Sequence, residues 1–395
     1  MKIKTHILPV IVLAQFFCTS VWFAGNAVLA DMTASMGLSP QLLAQFTISV
    51  QVGFIVGTFV FAALAIADRF SPVKVFFLSA VAAAIFNFGL TISDIPANTL
   101  LFFRFLTGFC LAGIYPVGMK IAADYFQAGL GKSLGYLVGA LVLGTAFPHL
   151  LKTLNQGFDW QNVIYGTSVL STTGGIMMWL FVADGPFRKR AAEFKLNAFT
   201  SVFKDKNFRT AAFGYFGHMW ELYAFWAFVP FMLKVYQNIH SEVNLNISLA
   251  AFVIIAVGSV SCVISGIICE RFGVKKVAFR LLFSSMLCCL VSPLFIAQDS
   301  PVAFIVFLLF WGMVVIGDSP LFSTLVAQHA PVENRGAALT IVNCLGFAIT
   351  ILSIQLLSLF TEAWNPLYSF TILAIGPIVG LAFSIKKTNE TREVA

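Results

Sequence analysis

Charge is what this chain lacks most. Only 10% of its 395 residues are Asp, Glu, Lys or Arg, against about 25% in soluble domains. Hydrophobic residues make up 59%, the mean hydropathy is +0.90, and there are 43 phenylalanines. A solvated globule is excluded, because apolar surface on that scale needs lipid as its solvent. Metal and redox spacings are missing too. The seven cysteines lie inside apolar stretches with no CxxC pair, which makes them small buried thiols. No Ser/His/Asp set, metal cluster or GxxxxGK[ST] loop appears, so the reading includes no enzyme chemistry, no metal, no cofactor and no direct drive by ATP. Lys2 and Lys4 precede an apolar run from Ile7 to about Ala30. That run is longer than the h-region of a secretory signal, and no small-residue cleavage site stands out, so it predicts a first transmembrane helix.

What is there instead is a series of long apolar segments. Twelve are predicted, roughly 7–30, 40–66, 73–92, 98–120, 133–152, 161–183, 208–234, 247–269, 276–296, 301–325, 337–359 and 365–385. Each reaches the ~20 residues that cross the hydrocarbon core as a helix. No alternating pattern of a barrel strand is present, so the expected class is an all-α membrane protein.

The few charges orient it. With twelve spans, both termini share one side and the breaks alternate. One set of breaks holds Arg69, Lys74, Lys120, Lys132, the cluster from Arg188 to Arg209, Arg271, Lys275, Lys276, Arg280 and Arg335, joined by Lys2, Lys4, Lys386, Lys387 and Arg392 at the termini. The other holds only Lys152 and Lys234. That asymmetry predicts a cytoplasmic first set, in the cytoplasmic (inner) cell membrane. The net charge of +7 is then a topology signal, and no nucleic-acid partner is expected.

One break is long and polar. Residues 185–207, GPFRKRAAEFKLNAFTSVFKDKN, follow the sixth span and divide the chain into 1–184, a mid-loop, and 208–395. The interleaved Phe and basic residues there suit either an amphipathic helix on the inner leaflet or a solvated linker. The two parts repeat each other. ADRFSPVKV after span 2 matches CERFGVKKV after span 8, with Asp68/Glu270, Arg69/Arg271 and Lys74/Lys276 all 202 positions apart. GFCLAGIYP in span 4 matches GMVVIGDSP in span 10, with Gly108/Gly312, Gly113/Gly317 and Pro116/Pro320 all 204 apart. Two independent matches at nearly one offset predict an internal repeat. Six spans per copy keep both copies in one orientation, as parallel repeats about an axis along the membrane normal.

Twelve spans in two halves, a long mid-loop and these motifs resemble the major facilitator superfamily of secondary transporters. The resemblance covers nearly the whole chain. The family's loop signature G-x-x-x-D-R/K-x-G-R/K-K/R is closer in the second copy, with Gly266, Glu270, Arg271, Gly273, Lys275 and Lys276. The first copy keeps Asp68 and Arg69 but has Leu64, Ser71 and Pro72 where two glycines and a basic residue belong. The resemblance implies a cytoplasmic latch at Asp68, Arg69, Glu270 and Arg271. RFLTGFCLAG resembles the family's R-x-x-x-G-x-x-x-A motif and puts Arg104 inside the membrane. The Gly-Pro motif that marks many drug–proton antiporters on helix 5 is absent from GYLVGALVLGTAFP. YLVGALVLG and GHMWELYAFWAF are most similar to the cyanate/nitrate-type permeases of bacteria.

Inside the spans the ionisable residues reduce to Arg104, His218, Glu221 and Asp318. Each is costly to remove from water, which makes it a candidate for function. His218 and Glu221, three residues apart, share one helix face. Glu221 suits a proton-coupling carboxylate with His218 as modulator or relay; the alternative is a self-satisfied packing pair. Arg104 must find carbonyls, an anionic substrate or a carboxylate such as Asp318 across the halves. Asp318 precedes Pro320, where a span bends. His149 and Lys152 are expected to reach the outer interface. Gln15, Asn26, Gln45, Gln51 and Asn343 add neutral polar groups to a possible cavity walled by Trp22, Tyr115, Trp220, Tyr223, Trp226 and Trp311. Glycines 108, 113, 135, 139, 312 and 317 read as close helix contacts. The expected function is a monomeric secondary active transporter that takes up a small, anionic solute with protons. Proton-antiport export of amphipathic drugs or metabolites is the alternative.

Overall fold

The computed structural model describes residues 5–37, 42–126, 130–155, 157–188, 202–330 and 335–385. Lys2, Lys4, mid-loop residues 189–201, Lys386, Lys387 and Arg392 lie outside the described residues, as do the side chains of Lys132 and Arg335. Among the described residues there is no strand. Twelve helical segments run through the molecule, one for each predicted span: α1 Ile7–Met36, α2 Leu42–Ala63, α3 Pro72–Thr91, α4 Ala97–Tyr125, α5 Leu130–Leu154, α6 Gln161–Phe181, α7 Lys206–Ile239, α8 Ile247–Phe272, α9 Val274–Ala297, α10 Pro301–His329, α11 Arg335–Ala363 and α12 Pro366–Ser384. Eleven are long and apolar enough to cross a membrane; the twelfth, α7, is the longest at 34 residues but less apolar, and carries His218 and Glu221.

Helix starts follow the capping residues in the sequence. Ser71, Ser300 and Asn365 each stand before a proline and accept a backbone N–H of the first turn, from Lys74, Ala303 and Leu367. The proline at the first helical position has no N–H to strand there. Asp205 and Asn246 cap α7 and α8 in the same way, through Phe208 N at 2.7 Å and Leu249 N at 3.0 Å.

Three spans are broken, and the breaks position the site. α4 interrupts at residues 112–114 before Tyr115 and Pro116, and α10 at Asp318 before Ser319 and Pro320. In both, the proline cannot donate to the preceding turn. α1 breaks at residues 20–23 between Ile7–Thr19 and Ala24–Met36 with neither Gly nor Pro in the gap.

The internal repeat is present in the packing itself. A Cβ on Gly108 of α4 would lie 2.0 Å from the carbonyl oxygen of Val50 in α2, and one on Gly312 of α10 would lie 2.1 Å from that of Ile254 in α8. Both glycines and both contact points are 204 positions apart. Only a missing side chain lets those helix backbones approach so closely. Two seams then join the first six helices to the last six. α5 packs along α8, where Gly258 meets Val142 and Gly139 meets Ser259, and α2 packs against α11 through Phe54 and Phe347, ring centroids 4.5 Å apart.

The loop signatures diverge for a local reason. Gly273, at φ 85°, joins α8 to α9 in one residue. At the matching position Ser71 has φ −60°, and the turn is made earlier, at Ala65 with φ 49°, followed by the short helix Ile66–Arg69. The Gly273 conformation, φ 85° and ψ 136°, suits only glycine, so the first copy, with Ser71 there, takes a longer route.

Candidate functional site

His218 and Glu221 are each 1% exposed, and each turns to a different helix. His218 Nδ1 lies 2.7 Å from Asp318 Oδ1, at the α10 break, with both side chains buried. The pair is close rather than well aligned: neither ring nitrogen and neither carboxylate oxygen completes a hydrogen bond. Glu221 Oε1 accepts from Trp311 Nε1 of α10 at 2.5 Å and from Ser285 Oγ of α9, with Cys289 alongside. Every donor to Glu221 is uncharged. This carboxylate can gain or lose a proton with no ion pair to break, whereas the imidazole–carboxylate pair shares its charge between two titratable groups. Breaking that buried pair from one side leaves the other charge stranded.

Arg104 lies elsewhere. It is 0% exposed in α4 and donates through Nη1 to the carbonyl of Val21 at 3.1 Å and through Nη2 to the carbonyl of Trp22 and to Asn26 Oδ1, the last at 3.4 Å. These are carbonyls freed by the break in α1, so the guanidinium closes that gap as backbone would. The expected alternative of a cross-half pair with Asp318 is corrected: Asp318 faces His218, and no carboxylate of the described residues pairs with Arg104.

The neutral candidates separate into groups. Asn26 donates to Thr47 at 2.6 Å, and Asn343 accepts from Tyr215 Oη at 2.7 Å. Gln15 and Gln51 are 0% exposed with no partner for either amide atom. Tyr115 begins the helix that follows the α4 break. Trp220 leaves the centre, because its Nε1 donates to Ile372 O in α12 at 3.2 Å. Nor does His149 reach the interface; it is 3% exposed, while Lys152 pairs with Asp31 at 2.7 Å.

Between the halves stands a layer of rings. Trp22 packs on Phe54 at 4.9 Å, Tyr223 at 5.7 Å and Phe347 at 5.9 Å, and Trp226 packs on Tyr223 at 5.3 Å and Phe23 at 6.2 Å. Trp22 and Trp226 are themselves 204 positions apart, one from each repeat.

At the end of the bundle where the basic residues gather, Asp68 pairs with Lys120 at 2.8 Å and Arg188 donates to the carbonyls of Asp68 and Phe70 while pairing with Asp184. Arg69, Glu270 and Arg271 make no ion pair among the described residues; Arg271 rests over the ring of Phe272. Of the four expected latch residues, Asp68 is the one that forms an ion pair among the described residues. Lys120, Asp184 and Arg188, like Ser285 and Cys289 around Glu221, are partners that sequence reasoning did not single out. Lys120 and Arg188 carried a signal as basic residues on the same side; a serine and a cysteine in an apolar span carried none.

The sequence matches the profile of the Major Facilitator Superfamily over residues 11–354. No curated protein matches it significantly. Similar solved structures include the proton:xylose symporter XylE bound to 6-bromo-6-deoxy-D-glucose, at 13% identity and TM-score 0.73 over 96% of each chain. The nucleoside transporter NupG has 14% identity and TM-score 0.72 over 95% of this chain and 98% of that one. A bacterial homologue of the human lysosomal transporter Spinster, inward-facing and unoccupied, has 14% identity and TM-score 0.66 over 96% and 95%. With twelve helices in two parallel repeats and a family profile covering most of its length, this chain belongs to the Major Facilitator Superfamily and is a multi-pass membrane transporter, not an enzyme.

Proposed function

We propose that the protein is a proton-coupled carrier that takes up a small anionic solute across the cytoplasmic membrane, with both termini inside. In this reading residues 1–184 and 208–395 are the two rocking bodies and 185–207 is the cytoplasmic tether between them. The observation that carries it is the cluster on α7: a buried His218–Asp318 pair at 2.7 Å, one helical turn from a Glu221 held only by neutral donors. Buried titratable groups on that scale are expensive in a membrane and are retained where charge has to move. Arg104 supplies positive potential from the other half, which favours an anion over a cation.

The test is reconstitution in proteoliposomes with a pH-sensitive dye in the lumen, screened against a panel of small organic and inorganic anions. Symport acidifies the lumen when a solute enters, whereas antiport alkalinises it. Glu221→Gln and Asp318→Asn are each expected to abolish the pH signal while leaving solute counterflow measurable. A wild-type-sized pH signal in both variants would sink the coupling assignment.

A further inference from the structure

The ring layer between the halves has polar atoms that nothing in the protein satisfies. Nε1 of Trp22 and Nε1 of Trp226 are buried without a hydrogen-bond partner, and so are both amide atoms of Gln51 and of Gln15. Gln51 and Phe54 are three residues apart on α2, so that amide shares a helix face with a ring of the layer, whereas the Gln15 amide lies against Gly118 of α4. An unsatisfied buried polar group is costly enough that native structures rarely keep one without a reason. N–H donors dominate at the layer: two indoles and the Gln51 amide NH2 stand against one amide oxygen. Behind Trp22, Arg104 is bound to the carbonyls of Val21 and Trp22 themselves, with no carboxylate of the described residues to balance it.

We propose that this layer grips a planar aromatic monocarboxylate. This rests on the anionic-solute reading above and narrows it. The ring of the solute stacks among Trp22, Phe54, Tyr223 and Phe347, whose faces offer the offset and edge contacts aromatic groups prefer. Its carboxylate receives the N–H groups of Trp22 and Gln51, in the positive potential of Arg104. Neutral donors suit a monoanion; a phosphate dianion needs a basic side chain at the contact, and Arg104 is committed to carbonyls. Trp226, the repeat counterpart of Trp22, offers the matching N–H from the other half as a third donor to the same solute.

The test is tryptophan fluorescence and thermal shift on the purified full chain in nanodiscs. The probes are benzoate, phenylacetate and indole-3-carboxylate, with cyclohexanecarboxylate and benzamide as controls for ring and charge and nitrate as a small anion. Aromatic carboxylates are expected to bind, benzamide and cyclohexanecarboxylate about tenfold or more weaker. Trp22→Phe keeps the ring and removes the N–H, and Gln51→Leu keeps the volume; each is expected to weaken aromatic carboxylates by about tenfold while eluting as a folded monodisperse protein. Equal binding of benzoate and benzamide, or of benzoate and cyclohexanecarboxylate, overturns the proposal. So does unchanged affinity in both variants, or binding of nitrate with no aromatic acid; that last result leaves the anion reading standing. If aromatic acids bind as expected but drive no lumenal pH change in the wild type, the coupling reading fails and the grip remains.

Discussion

Gly108 meets Val50 in the first half of the molecule as Gly312 meets Ile254 in the second, and both α4 and α10 break just before a proline. Yet at the same offset of 204 the side chains carry opposite chemistry. His218, Glu221 and Asp318 stand where the first half has Ala14, Phe17 and Ile114, and Arg104 stands where the second has Leu308. The repeat is therefore conserved as backbone packing and divided as chemistry. One half holds a fixed positive charge bonded to carbonyls, and the other holds the groups that can exchange protons. In the proton-coupled reading proposed above, such a carrier needs only one half to titrate, and the other provides a constant field. The ring layer, contributed by both, is where the two meet.

The comparison is broken most directly by making the second half resemble the first. Asp318→Asn alone leaves His218 buried opposite a neutral amide, and removing one partner of a buried pair costs about 3–5 kcal/mol. The double change His218→Ala with Asp318→Asn removes both partners of the pair and is expected to recover most of that loss in thermal unfolding. It is nonetheless expected to lose proton-driven accumulation completely. If the double variant still accumulates solute against a gradient, the His218–Asp318 pair is not needed for coupling and Glu221 alone carries it.

The reverse change comes next in size. Arg104→Leu copies Leu308 and leaves the carbonyls of Val21 and Trp22 without donors at the α1 break, at about 1–3 kcal/mol per unsatisfied group. Denaturation in detergent is expected to show a loss of about 3 kcal/mol, with Arg104→Lys recovering part of it. Leu308→Ala should instead behave as an ordinary apolar truncation. A stable Arg104→Leu would mean that α1 closes its own gap.

The frame itself is tested by Gly108→Ala and Gly312→Ala. Their Cβ atoms would meet backbone oxygens at 2.0 and 2.1 Å, so the helices must separate, at about 1–3 kcal/mol each. Near-equal losses in thermal stability are expected. A large loss at one site with none at the other would mean that the two halves do not share this crossing.

How much of this was legible beforehand follows from the kind of signal each feature leaves. The twelve spans are visible because lipid forces every one to be apolar over its length. The repeat is visible because glycine and proline at α4 and α10 serve the backbone and cannot be swapped freely. Glu221 and His218 are visible because their cost in the membrane is readable without a structure. Their partners are not. Ser285 reaches Glu221 only through the packing of α9 on α7, and Trp311 differs from Trp220 only in which way its helix turns it. Arg104 was legible as a residue needing a partner, but the break at residues 20–23 that supplies the carbonyls has no glycine or proline to announce it. The latch was read from a motif; Arg188, which does much of the holding, lies outside that motif.

The smallest expected effect concerns that latch, and it sharpens the comparison at the surface. Asp68 and Lys120 are about a quarter exposed, so their ion pair is worth no more than about 1 kcal/mol, and Asp68→Asn should move thermal stability only slightly. Locally the effect should be larger. Arg188 reaches the carbonyls of Asp68 and Phe70, and the turn depends on a non-glycine residue at positive φ, which other contacts have to hold in place. Hydrogen exchange across residues 64–72 is therefore expected to speed up in Asp68→Asn. Glu270→Gln should leave residues 268–276 unchanged, because Gly273 makes that turn without strain and Glu270 has no ion-pair partner among the described residues. Equal acceleration at both turns would show that the second copy of the signature is held as the first is. The divergence between Ser71 and Gly273 would then lie in the route of the chain and not in what fastens it.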